Sequence, residues 1–403
     1  MTKVLIIGGG YGGLRAIETL AKYKDLEVTL VDKNPYHYLQ TEAYGYIAGK
    51  IDINNITIDL KTWCLGFDRV TFIQHEVETL DIQNKSVTIN NEILTYDYVV
   101  VATGARTNFF TFIEGLREHT YGVKKLFRAF NFRKEFENII YRKLQNEASY
   151  SKNSLNIAIG GAGLSGVEVA AEMAYVINNY AKTIGEHTKE IKIYLIDASE
   201  TILPGTSTYI IKNTKKRLEK LGVKILTNAF ITKVEKDKII FKNGETLEFS
   251  FMIFTGGIKA SLLNEAIECE KNKINQFIVN KTLNINKSRN VFAIGDCVEM
   301  RDRHDNVLPP TAQTAERSAE YVAKVIRNRI DGVESENFTT NIMGMFVALG
   351  GNYAVGELFD VIKVKGYTAY LLKKAITYIY YIGLKLRINT GFKNRIKETQ
   401  RNI

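Results

Sequence analysis

A chain of 403 residues has room for two or three domains, each with a core of its own. With 45% hydrophobic and 24% charged residues the composition is that of a globular protein, which excludes disorder as the starting assumption. The net charge of +10 is uneven: from Gly366 to Ile403 eight Lys or Arg residues face the single acid Glu398, and a basic tail rich in Tyr, Leu and Ile argues against a uniformly basic nucleic-acid surface.

The chain runs from Met1-Thr2-Lys3 directly into the apolar run Val4-Leu5-Ile6-Ile7, so no signal peptide is expected. That run reads as a strand and opens on Gly8-Gly9-Gly10-Tyr11-Gly12-Gly13, followed by a helical stretch. In this strand–loop–helix context the first glycine makes a tight turn and the second lets the backbone approach a pyrophosphate. The third allows helix and strand to pack closely, and the helix N-terminus faces the negative charge. The next strand, Val28 to Val31, is followed by Asp32, 19 residues after Gly13, where a carboxylate can accept the ribose hydroxyls of an adenosine. Further strands such as Val87-Thr88-Ile89 lead to Tyr96 through Val101, a run suited to a doubly buried parallel strand, closed by Ala102-Thr103-Gly104. A polar helical stretch from about Lys124 to Glu147 and a loop around Ser149 to Ser154 come next.

A second strand, Ile157-Ala158-Ile159, then opens a second loop, Gly161-Ala162-Gly163-Leu164-Ser165-Gly166, and a second helix. Its acid is Asp197, 31 residues beyond Gly166 across the polar insertion Asn178 to Ile191; a carboxylate here repels a 2′-phosphate, so NADH is expected over NADPH. The helical run Ile210 to Leu221 and short strands end at Phe251 to Gly257, resembling the close of the first unit. The chain is thus a weak internal duplication at domain scale. After it come Val291 to Asp296, where Asp296 ends a buried-type strand, and a helix from about Thr311 to Ile330.

The three cysteines, Cys64, Cys269 and Cys297, form no CxxC pair, which argues against a redox-active dithiol and a disulfide-built fold; a reduced, intracellular setting is expected. In the tail, residues 371, 372, 375, 379, 382 and 386 form an apolar helical stripe, but only ten uncharged residues separate Lys374 from Lys385, against ~20 needed to span a bilayer. A basic amphipathic helix lying in the membrane interface, its cations toward anionic lipid, is the expectation; a packing helix is the alternative. The fold class is therefore α/β, with two Rossmann-like dinucleotide-binding domains and a C-terminal amphipathic membrane-associating segment. The domains are expected at 1–115 and 284–336 (two parts of the first), 116–283 (the second) and 337–403 (the tail).

Taken together, Gly8 to Gly13, Asp32, Ala102-Thr103-Gly104, the second loop and Gly295-Asp296 resemble the two-dinucleotide flavoprotein oxidoreductases. Within them the chain looks most like the type II NADH:quinone oxidoreductases, on Asn34 to Tyr38, Gly160 to Glu168 and Pro310 to Ala315. The resemblance spans essentially the whole length. It implies FAD as cofactor, NADH as substrate, a membrane quinone as acceptor, no proton pumping, a peripheral position on the cytoplasmic face of the cell membrane, and a tendency to homodimerise. By that resemblance Gly8, Gly9, Gly10, Tyr11, Gly12 and Gly13 cradle the FAD pyrophosphate, with Asp32 and Lys33 at its adenosine ribose. His37 and Thr41 line the flavin side, Val77 meets the adenine through its backbone, Thr103 and Gly104 close the pocket, and Asp296 holds the ribityl chain. Ala312 and Gln313 sit where the quinone head arrives, and Lys373, whose neighbour Lys374 is also basic, approaches that pocket. Gly161, Gly163, Gly166 and Asp197 hold NADH.

Glu168 has two readings: an acid favoured by the dipole in the first turn of the second-loop helix, or a group near the nicotinamide and flavin. The family's quinone motif runs Ala-Gln-x-Ala-x-Gln, whereas this chain has Ala312-Gln313-Thr314-Ala315-Glu316-Arg317. Arg317 either pairs with Glu316 or another acid, or reshapes the acceptor pocket with its permanent charge. Two rival readings are a sulfide:quinone oxidoreductase, which needs cysteines flanking the flavin, and a flavin-bearing redox sensor with little turnover.

Overall fold

A computed structural model describes residues 1–144, 155–184, 191–285, 288–359 and 361–401. The loop expected around Ser149 to Ser154 lies outside them. The first unit runs β1 (Thr2–Ile7), α1 (Tyr11–Leu20), β2 (Leu26–Asp32), β3 (Val70–Gln74) and β4 (Tyr98–Val101). The second runs β5 (Tyr121–Gly122), α2 (Leu126–Leu144), β6 (Leu155–Gly160), α3 (Leu164–Ile184), β7 (Ile191–Ile196), α4 (Thr208–Lys220), β8 (Lys224–Leu226) and β9 (Phe251–Phe254). Strand β10 (Val291–Ala293) and helix α5 (Ala312–Ile330) follow, then the antiparallel sheet β11 (Gly344–Ala348), β12 (Ala354–Leu358), β13 (Ile362–Gly366), and helix α6 (Tyr367–Arg401).

The duplication is literal at the level of topology. One five-stranded parallel sheet has the order β10-β4-β1-β2-β3 and the other β5-β9-β6-β7-β8. In each, the glycine-loop strand is central, and the outer strand beyond its neighbour comes from a distant part of the chain. Central strands of a parallel sheet are covered on both faces, which is why Val4 to Ile7 and Ile157 to Ile159 are uninterrupted apolar runs and are buried. The strand expected at Val87 to Ile89 is present, as part of Ser86–Ile89, in a small antiparallel sheet.

One sequence expectation is corrected. The polar stretch from Asn178 is not an insertion from its start: α3 continues through it to Ile184. Asn178 Nδ2 donates to the Leu221 carbonyl at 3.0 Å, so this polar side chain ties the helix to the end of α4 rather than ending it.

The tail helix α6 lies against the short helix Leu60–Cys64 of the first unit. A Cβ on Gly391 would stand 1.7 Å from the Thr62 carbonyl oxygen, so only glycine permits that approach. Arg387 donates to the Gly66 carbonyl and Asn394 to that of Leu65.

Candidate active site

The two glycine loops have the same construction. Gly8 and Gly161 have φ of +110° and +99°, and a Cβ on either would collide with the backbone of the neighbouring strand's end, at Ala102 or Gly256. A Cβ on Gly13 or Gly166 would lie 1.9 Å from the carbonyl oxygen of Gly8 or Gly161 respectively. Gly10 and Gly163, by contrast, face open space. The acids close the match: Asp32 Oδ2 accepts from Gly9 N at 2.7 Å, and Asp197 Oδ2 from Ala162 N at 2.5 Å. Each loop is therefore locked from behind and open in front, with backbone N–H groups presented at a helix N-terminus.

Around the first loop, His37 Nδ1 lies 3.0 Å from the Gly9 carbonyl oxygen and Nε2 lies 3.2 Å from the Tyr380 hydroxyl. A carbonyl only accepts, so Nδ1 carries the proton and the tyrosine donates to Nε2. Burial holds this neutral imidazole down to about 4. Tyr11 stacks on Tyr380, ring centroids 5.1 Å apart, and its hydroxyl lies 2.8 Å from Thr41 Oγ1. Lys33 pairs with Glu76, beside the buried Val77. Thr103 donates to Asn264, whose amide also holds the Cys297 carbonyl. Asp296 pairs at 3.0 Å with Lys124, a residue no motif singles out, contributed from just beyond β5 of the second unit.

Helix α5 starts at Ala312 and brings Ala315 beside the first loop, where a Cβ on Gly12 would meet the Ala315 carbonyl at 3.4 Å. Gln313 Oε1 accepts from Met343 N, and Arg317, exposed one turn on, donates to Met343 Sδ at 3.5 Å. Glu316 turns to Arg15 instead. Both motif residues thus frame one methionine.

Glu168 is buried, and it is not in the first turn of α3, so the dipole reading fails. Its Oε1 accepts from Ala348 N at 2.9 Å and from Lys373 Nζ at 2.6 Å. Burial raises its pKa, opposed by the Lys373 charge and the Ala348 N–H. Lys374 does not duplicate its neighbour: it reaches Glu42 Oε2 at 2.7 Å. Adjacent lysines on α6 thus clamp acids from both units.

That result corrects part of the expectation for the tail. Lys373 points into the protein, the direction the resemblance implied, but Lys374 and Arg387 also point inward rather than toward lipid, because a buried acid and a carbonyl hold them. The apolar stripe faces the other way: Leu371, Leu372, Ile379 and Leu386 are exposed, with Ile376 at 59%. No helix among the described residues is long and apolar enough to cross a membrane, and no group of His, Cys, Asp and Glu among them is placed to hold a metal. Cys64 and Cys297 are buried, and burial pushes their thiols up to about 12 and about 11.

Paired loops of this kind, one in each of two like-ordered parallel sheets, mark an oxidoreductase of the double Rossmann type. Residues 2–319 match the family model for pyridine nucleotide-disulphide oxidoreductases. Over 385 residues the chain is 31% identical to the type II NADH:quinone oxidoreductase of Staphylococcus aureus strain MSSA476, covering 93% of this chain and 94% of the relative. It belongs to the pyridine nucleotide-disulphide oxidoreductases and, within them, to the type II NADH:quinone oxidoreductases. In fold it resembles NDH2 of Plasmodium falciparum in complex with NADH, with a TM-score of 0.84 at 22% identity, covering 99% of this chain and 98% of that one. It also resembles the sulfide:quinone oxidoreductase of Aquifex aeolicus, with a TM-score of 0.80 at 20% identity, covering 99% and 95%.

Proposed function

We propose that the chain oxidises NADH and reduces a membrane quinone through bound FAD, without pumping protons. The observation that carries this reading is the pair of matched loops, with the Lys373–Glu168 ion pair of the tail set beside the second. The first loop fits FAD: its front is open at Gly10, its back is locked by Asp32, and Asp296 and Lys124 offer polar groups farther along. Bound there, FAD supplies acceptance of a hydride and release of two electrons. The second loop and Asp197 hold NADH, the carboxylate disfavouring a 2′-phosphate. His37, kept neutral and fixed in one tautomer, adds a hydrogen-bonded wall without charge. Gln313 and Arg317 line the approach of the acceptor.

The exposed stripe of α6 supports a peripheral position on the membrane, from which a long-tailed quinone reaches the site. With its inner cations engaged, this contact rests on apolar burial more than on charge, and a homodimer and the cytoplasmic face remain part of the same proposal.

The sulfide reading shares the fold, but buried thiols held well above their ordinary range do not supply the reactive thiolates it needs. Anaerobic mixing with NADH, followed by quinone, tests the proposal. Bleaching of the flavin and rapid reoxidation are expected. Bleaching by sulfide but not by NADH overturns it, and a single reduction without turnover favours a sensor.

A further inference from the structure

We propose that Glu42, fed by Lys374, delivers to the acceptor the one proton that this reaction draws from the medium. The inference rests on the quinone reading above. Glu42 has a 5% exposed side chain. Its Oε2 accepts from Lys374 Nζ at 2.7 Å and from the Tyr44 hydroxyl at 3.5 Å, while Oε1 is buried with no partner among the described residues. A buried carboxylate oxygen left bare is costly, and such orphans call for a ligand or a catalytic role.

The position suits that role. Thr41, the preceding residue, meets Tyr11 of the first loop, and the Tyr44 ring lies 5.2 Å from Lys373 Nζ, which holds Glu168 of the second-loop helix. Glu42 therefore stands between the two cofactor loops, with Lys374, Lys373, Tyr11, Tyr44 and Glu168 as its charged and titratable neighbours.

The balance is fixed by the reaction. A hydride from NADH brings two electrons and one proton, and a quinone becoming a quinol takes up two electrons and two protons, so one H⁺ enters from solvent. Lys374 is 32% exposed and can exchange with water. Its N–H bond breaks as the proton crosses to Glu42. The proton lands on Oε2, the oxygen that faces Lys374; the carboxyl turns about Cγ–Cδ to carry it to the bare side, and that O–H bond breaks as a new O–H bond forms on the acceptor oxygen. Water returns the proton to Lys374, leaving the original ion pair.

The test compares NADH oxidation by the flavin-loaded protein with a water-soluble quinone and with ferricyanide, which takes electrons without protons. E42Q keeps the shape but holds no transferable acid proton. It is expected to slow quinone turnover at least ~100-fold more than ferricyanide turnover, the lower end of the usual range for losing a general acid, and to raise the solvent isotope effect on the quinone reaction. Partial rescue by E42D supports the assignment. Equal slowing with both acceptors, or quinone turnover as in the unaltered protein, overturns it. If E42Q does not fold, K374M, which cuts Glu42 off from solvent, must show the same selective loss or the proposal falls. An unaltered protein that takes electrons from NADH but passes none to quinone fails the underlying reading, and the proposal with it.

Discussion

Lys373 and Glu168 lie 205 residues apart in sequence and 2.6 Å apart in space, joining the tail helix to the helix of the second glycine loop. Both side chains are largely buried, at 13% and 8% exposure. Breaking such a pair from one side strands a charge, at a cost of about 3–5 kcal/mol. K373M is therefore expected to lower stability at neutral pH, measured by chemical denaturation. The sign of the pH dependence follows from Glu168, whose pKa burial raises. A carboxyl raised in the folded state favours folding while protonated, and that contribution is lost as pH rises through the raised value. Without Lys373 the pKa rises further, so the deficit of K373M is expected to shrink at mildly acid pH and grow at mildly alkaline pH. A deficit independent of pH would show that packing, not charge, sets the loss.

The loops predict a separation of effects. In G13A the new Cβ meets the Gly8 carbonyl oxygen at 1.9 Å, and in G166A it meets that of Gly161 at the same distance. Because the loops belong to different sheets, G13A is expected to purify with little flavin. G166A should retain its flavin and lose at least ~10-fold in kcat/KM for NADH, about 1.4 kcal/mol. Flavin absorbance and steady-state kinetics read the two. Flavin loss in G166A but not in G13A would reverse the assignment of the loops.

How far the sequence carried depended on whether the information was local. The loops were legible because a strand, a turn and a helix N-terminus impose a short, fixed spacing, and Asp32 and Asp197 because each stands at the end of the next parallel strand. The doubling of the sheets was legible for the same reason, from Thr103-Gly104 and Thr255-Gly256 at matching strand ends. The pairs Lys124–Asp296, Lys374–Glu42 and Tyr380–His37 were not, since each joins residues more than 170 positions apart and no periodicity records them. The tail stripe showed helix but not direction. An apolar face looks the same in sequence whether it packs inward or faces out, and of the tail cations expected toward lipid, Lys374 and Arg387 are drawn inside.

Arg317 gives a prediction about the acceptor alone. It is exposed, and it shares Met343 with Gln313. R317Q restores the amide of the resembling motif and removes a permanent cation from the edge of the proposed acceptor approach. KM for a water-soluble quinone is expected to change about threefold or more, roughly 0.7 kcal/mol, while the rate of flavin reduction by NADH stays as in the unaltered protein. Rapid mixing separates the two half-reactions. A change in the NADH step instead would move Arg317 away from the acceptor's path.

The outward face of α6 separates membrane contact from folding. Ile376 and Ile379 are 59% and 72% exposed, whereas Lys373, Lys374 and Tyr380 of the same helix are held by Glu168, Glu42 and His37. Substituting both with glutamate removes apolar area from a membrane contact and adds charge where acyl chains would lie. Exposed positions outside any packed contact usually change stability by no more than ~0.5 kcal/mol each. The double variant is therefore expected to unfold like the parent, to keep its NADH:ferricyanide turnover, and to lose co-sedimentation with neutral phosphatidylcholine vesicles. Because Lys373, Lys374 and Arg387 are engaged inside, adding anionic lipid should strengthen the parent's binding only modestly, and raising salt should weaken it little. Binding that collapses with salt would mean that the remaining tail cations, not the apolar face, make the contact.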